Sequence, residues 1–149
     1  MNKFYRLLSA GFGSGYLPKV PGTWGSLAYI ALWLVWTSIL GFSGETLLLI
    51  TSALAIIAVS KTIEALPESE QDDPGFIVID EWVGMGAALL AIPSDSWLAI
   101  GAAFVLFRAF DIVKPGPIRS AEKLPGSIGI IADDLLAGIV TNLIIRAFL

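Results

Sequence analysis

The sequence predicts an all-α fold: a small polytopic membrane bundle of about five apolar helices, in a single domain covering residues 1–149. Three observations predict it. Hydrophobic residues make up 56% of the chain and charged residues only 15%, with a mean hydropathy of +0.80; soluble domains carry about a quarter charged residues. So little polar surface cannot cover a water-facing exterior, and the bilayer is the expected solvent. The apolar residues fall into five runs, 24–42, 46–60, 82–92, 97–107 and 135–149, which leave no amphipathic helices to form a polar shell. The runs are rich in Leu, Ala and Ile and lack period-two alternation, which selects helices over strands.

Along the chain, residues 1–10 hold two bases among apolar residues, but glycines interrupt the run too early for a secretory signal. They read as mature chain with an amphipathic start at the membrane interface. The glycine-rich stretch GFGSGYLPKVPGTWGS, 11–26, is neither a Walker A loop nor a strand-preceded dinucleotide fingerprint. Its glycines can present backbone N–H groups to an anion, with Thr23 or Ser26 capping the first span, or form a re-entrant turn. The first run is long enough to cross the hydrocarbon, which takes about 20 residues; the others are shorter, a length shared with buried core helices. Between the second and third runs, 64–74 is acidic with two prolines and reads as a solvated loop from which Asp73 can approach a site. Small residues recur at Gly84, Gly86, Ala87 and Ala88 and at Gly101, Ala102 and Ala103, marking those two helices as inner ones.

The connections 41–45 and 93–96 contain no Lys or Arg, so the positive-inside rule places both outside. Lys3, Arg6, Lys19, Lys61, Arg108, Lys114, Arg119 and Lys123 then share the inner side, leaving only Arg146 near the far end of the last span. Five crossings with a cytoplasmic N-terminus follow.

Composition narrows the chemistry. Without cysteine or histidine there is no thiolate or imidazole catalysis, no disulfide and no Cys or His metal site. Thirteen acids against nine bases give a net charge of −4, which argues against nucleic acid as a partner. Three acidic groups adjoin spans on the inner side: Asp80 with Glu81 opening the third, Asp111 after the fourth, and Asp133 with Asp134 opening the fifth. The topology brings all three to one membrane face. Asp80, Glu81, Asp133 and Asp134 can also be helix caps, although capping needs one residue of each pair. Asp111 cannot, because the end of a helix disfavours an anion; it requires Arg108, Lys114 or a metal. Five carboxylates near the apolar boundary repel one another without a cation. Oxygen ligands alone point to a hard ion, Mg²⁺ before Mn²⁺ or Ca²⁺, and Mg²⁺ commonly bridges carboxylates and phosphate oxygens. Lys19, Arg108, Lys114 and Arg119 lie on the same side and can neutralise phosphate, or simply mark topology.

Four motifs in order, GFGSG with PGTWGS, GFIVIDEWVGM, FRAFDIVKPGPI and GSIGIIADDLLAG, resemble the phosphatidylglycerophosphatase A family over about residues 11–138. Pro125 departs from it, standing where the related motif often has a second glycine. The resemblance implies an Mg²⁺-dependent phosphatase of the bacterial cytoplasmic membrane, converting phosphatidylglycerophosphate to phosphatidylglycerol with its active site on the cytoplasmic face. By position it implies catalytic and metal-binding roles for Asp80, Glu81, Asp111, Asp133 and Asp134, with Arg108 and Lys114 alongside. Lys19, Thr23, Ser26 and Arg119 complete the expected substrate-binding set. Attack by a metal-activated water is the simplest mechanism, with an aspartyl-phosphate as the alternative. A carboxylate-based ion transporter fits less well, because transporters carry acids at mid-span and these are expected at span ends. Another lipid phosphate-transfer enzyme shares the metal and the acids, but the usual phosphatidyltransferase pattern, an Asp pair followed by Gly, Ala-Arg and a later Asp pair, is absent.

Overall fold

The computed structural model describes residues 3–71 and 74–148, and among these every regular element is helical. The helices are α1 (Lys3–Ser9), α2 (Pro21–Leu34), α3 (Gly44–Ile63), α4 (Ile79–Ala88), α5 (Trp97–Val113), α6 (Pro117–Glu122) and α7 (Ser127–Phe148). Each of the five apolar runs falls on one of α2, α3, α4, α5 and α7. The last turns of the first run loosen into a π-helical segment, Val35–Ile39, where Thr37 Oγ1 donates back to the Trp33 carbonyl.

Among the described residues, two of the five expected crossings, α3 and α7, meet the length and hydropathy that a bilayer requires. α4 has ten residues, about 15 Å at 1.5 Å rise per residue, too short to cross. It is instead the centre of the molecule: every residue in it except Glu81 is buried, and α2, α3, α5 and α7 pack around it. Its apolar run is therefore a core element, the option that length alone left open. The expectation of inner helices holds for α4, whereas α5 lies outside, with Gly101 exposed.

Glycines set the closest approaches. A Cβ on Gly138 of α7 would strike the Gly84 carbonyl of α4, and one on Gly84 would come within 2.6 Å of the Asp134 carbonyl. The two backbones thus touch where only glycine permits it. α2 meets the start of α4 in the same way, Gly25 lying against Val78.

Several boundaries depart from expectation. Pro21 opens α2 behind Val20, so neither Thr23 nor Ser26 caps it; Ser26 is buried and its hydroxyl donates to the Gly22 carbonyl. α7 begins at Ser127, which puts Asp133 and Asp134 inside the helix rather than at its opening. Asp111 likewise belongs to the last turn of α5. In α1, Leu8 and Ser9 are buried while Phe4 and Leu7 face outward. In the acidic strip, Glu68–Glu70 forms an exposed 3₁₀ turn, while Asp73 lies outside the described residues. The two base-free connections come together: residues 42–45 and Ser94 line one hollow of about 200 Å³.

Candidate active site

At the other end, the starts of α2 and α4, the end of α5 and the first half of α7 enclose a cleft of about 660 Å³. Asp80, Glu81, Asp111, Asp133 and Asp134 all line it, with Arg108, Lys114 and Thr23. Lys19, Ser26 and Arg119 do not. Lys19 and Arg119 are exposed elsewhere.

The glycine crossing explains how the floor is built. Asp80 stands four residues before Gly84, and Asp134 four residues before Gly138, so each acid lies one turn from the contact on the same helix face. Packing glycine on glycine therefore carries the two carboxylates toward each other. Ligand oxygens of Asp80, Glu81 and Asp134 lie within 4.8 Å of one another. Asp80 and Asp134 are buried. Gly22 of α2 completes the floor, because a Cβ there would collide with Glu81 Oε1 and approach the Arg108 guanidinium at 2.9 Å.

Two bases divide the other acids. Arg108 Nη1 lies 2.6 Å from Asp111 Oδ2, one turn along α5, and 3.7 Å from Glu81 Oε1. Asp111 thus has the cation its place at a helix end demands. Lys114 Nζ donates to Asp133 Oδ2 at 2.7 Å and to Glu122 Oε1 at 2.6 Å. Burial works against the Lys114 charge, but hydrogen bonds to Asp133 and Glu122 outweigh it and hold the ammonium above its usual range. For Glu81, burial pushes the carboxyl up to about 7; a hydrogen bond with Asp80 and the Arg108 charge oppose the rise, and the Asp111 charge adds to it.

Asp134 is the eighth residue of α7, about 10 Å along the helix from its start. A cap at that position is impossible, so a buried carboxylate there needs another reason. It also removes the premise that all these acids sit at span ends. Glu122 and Gln71 line the cleft, neither expected from the sequence, and Gly22, one of the glycines expected near an anion, shapes it. The PGTWG motif was the one available sign for Gly22. Glu122 had none, being one acid in a short polar helix.

Six carboxylates against two bases leave the cleft with a large excess of negative charge. Glu81 Oε2 and Asp133 Oδ1 are buried without a hydrogen-bond partner in the protein. An all-oxygen donor set with buried, unsatisfied carboxylate oxygens fits a hard divalent cation.

Comparison with known proteins gives the family. The family model described as Phosphatidylglycerophosphatase A matches residues 7–149. The chain belongs to the phosphatidylglycerophosphatase A family. A phosphatidylglycerophosphatase A of Haemophilus influenzae is 44% identical over 95% of this chain and 86% of its own length. One from Escherichia coli is 36% identical over 95% of this chain and 81% of its own. A Bacteroides thetaiotaomicron protein, provisionally named a phosphatidylinositol-3-phosphatase, is 40% identical over 93% and 89%. No solved structure matches significantly. Family membership makes the chain a phosphatase that hydrolyses a phosphomonoester, and it sets aside the transporter reading.

Proposed function

We propose that this single-domain chain hydrolyses phosphatidylglycerophosphate to phosphatidylglycerol and phosphate, using Mg²⁺, at the cytoplasmic face of the bacterial inner membrane. The carrying observation is the clustering of Asp80, Glu81 and Asp134 within 4.8 Å at the floor of a cleft that also holds Arg108 and Lys114. Their positions within the motifs by which the sequence resembles the family support the same assignment.

Asp80, Glu81 and Asp134 would hold the cation. When bound, Mg²⁺ supplies Lewis-acid stabilisation of phosphoryl charge and lowers the pKa of water. The remaining roles belong to the chain. Asp111 fixes the Arg108 guanidinium, and Asp133 fixes the Lys114 ammonium, so both bases are aimed before substrate arrives. Both then offset charge on the phosphoryl oxygens as the ester bond breaks. Gly22 lets the Glu81 carboxylate and the Arg108 guanidinium pack against the α2 backbone, which holds both in place at the floor. A carboxylate of the floor accepts the proton of the attacking water and returns it to the departing glycerol oxygen as the ester bond breaks; with neither His nor Cys in the chain, no imidazole or thiolate can do so.

The orientation rests on charge: the cleft end gathers nearly all the bases, which the positive-inside rule assigns to the cytoplasm. The detergent-solubilised chain should release phosphate from phosphatidylglycerophosphate with Mg²⁺ present. Phosphatidylinositol 3-phosphate serves as a second substrate, because the Bacteroides relative carries that name. Release from it alone reassigns the headgroup; release from neither overturns the proposal.

A further inference from the structure

Lys114 stands where α5 ends, its backbone in the left-handed region at φ 47°, and its ammonium is shared by two carboxylates that are not equivalent. The Asp133 side chain is 5% exposed and that of Glu122 is 46% exposed. Asp133 projects from within the long helix α7. Glu122 is the last residue of six-residue α6, where the terminal carbonyls repel an anion rather than hold it. The segment bearing it runs between Gly116 and Gly126, both at positive φ, 35° and 63°. One ammonium balances one carboxylate, so the trio carries a surplus negative charge in a cleft already rich in acid. Of the two partners, the solvated one is the weaker and the one that can leave.

We infer that Glu122 is a displaceable internal anion: its carboxylate occupies the place beside Lys114 that the substrate phosphate takes, and binding exchanges one for the other. The inference rests on reading the cleft as a phosphate site. Its consequence is selectivity by charge. A phosphomonoester approaches as a dianion and can outbid a single carboxylate for the ammonium. A phosphodiester headgroup, which every anionic diester lipid presents, carries one charge and cannot. Glu122 thereby keeps the abundant diesters of a membrane, the reaction product among them, from occupying Lys114. It acts through Lys114 and is a specificity-determining residue, not a catalytic one.

The test compares wild-type protein and Glu122→Gln in detergent micelles, measuring KM for phosphatidylglycerophosphate and inhibition by added phosphatidylglycerol. Removing a half-exposed competing charge should lower KM by about two- to fivefold and make phosphatidylglycerol a stronger inhibitor. Glu122→Ala, which leaves no amide to replace the hydrogen bond, should shift KM the same way. In a Lys114→Gln background the gain should vanish. An unchanged or raised KM in either single variant overturns the inference, since a residue needed merely to brace Lys114 would weaken binding when lost. A gain that persists without Lys114 also overturns it, because it reports a general field. A lower KM without stronger inhibition by phosphatidylglycerol removes the selectivity role. Absence of phosphate release by the wild-type protein instead overturns the proposed function itself, and so is told apart from failure of the exchange.

Discussion

The two ends of the bundle are built from the same helices and differ in the charge of the polar groups they gather. At the end with the small hollow, the Asn142 side chain of α7 donates to the Ala88 and Leu90 carbonyls, closing the end of α4 with neutral hydrogen bonds. Trp36 Nε1 and Thr46 Oγ1 both donate to the Ser43 carbonyl at the turn into α3. At the cleft end, the same two helices α4 and α7 bring carboxylates together, and buried oxygens of Glu81 and Asp133 have no partner in the protein. An unsatisfied buried polar group costs about 1–3 kcal/mol, more when charged. The contrast teaches that the chain buries neutral groups where no chemistry is done, where Thr141 Oγ1 goes unpartnered as a hydroxyl and not as a charge. The cleft end keeps its charges because a cation and an anionic substrate complete the balance.

The largest effect should come from removing the metal. EDTA should abolish turnover and added Mg²⁺ restore it, while hydrogen bonding at the far end leaves helix content unchanged by circular dichroism. Full activity in excess EDTA decides against a metal site and in favour of the metal-free aspartyl-phosphate route.

Next in size is Asp134→Asn. The amide keeps the shape and loses the charge, so turnover should fall by on the order of a hundredfold, the scale of losing one electrostatic catalytic contact. Folding should survive, because the substitution relieves repulsion among the buried acids. Asp80→Asn should behave alike, and Asp111→Asn should also reduce turnover by freeing Arg108. Near-full activity of Asp134→Asn at limiting Mg²⁺ would remove it from the ligand set.

A smaller effect is expected where the crossing itself is disturbed. In Gly138→Ala the new methyl meets the Gly84 carbonyl, and overpacking of this kind typically costs about 1–3 kcal/mol. Pushing α7 from α4 also misplaces Asp134 one turn away, so activity should drop by roughly ten- to a hundredfold. Gly101→Ala, with open space around its Cβ, is the control and should keep both stability and activity. Equal stability and activity in the two variants would mean that the helix contact does not position the site.

How much of this was legible in the sequence depends on which physical rule carried it. Helix type was legible, since apolar runs without alternation leave little else. The convergence of Asp80, Glu81, Asp111, Asp133 and Asp134 was legible too, because charge near an apolar boundary has few places to go. Depth was not. Hydropathy cannot tell a ten-residue core helix from a short span, so α4 reads as a crossing until its neighbours are seen. Nor does hydropathy mark where α7 begins: Ser127, Gly129 and the acid pair break the apolar pattern before 135 and hide two turns of helix, and Asp134 reads as a cap. Arg108 holding Asp111 follows from their i, i+3 spacing on one helix. Glu122 meeting Lys114 and Asp133 does not follow from any local rule, because it depends on how α6 folds back on α7.

The smallest effect should be found at the far end, and it sharpens the comparison by its silence. Asp95 is exposed in the base-free connection between α4 and α5, next to Ser94 of the small hollow. Nothing there approaches the carboxylate cluster, so Asp95→Cys should retain wild-type turnover. The same variant reports orientation. The chain has no native cysteine, so a single thiol at position 95 is the only site for an impermeant reagent, and in intact cells it should react from outside. Ser69→Cys, exposed in the 3₁₀ turn of the acidic strip, should be protected until the membrane is opened. Labelling of position 69 with protection of position 95 would invert the molecule and place the cleft on the outer face. Labelling of both in intact cells would mean that the two positions share a side, leaving the difference between the ends a matter of chemistry and not of membrane side.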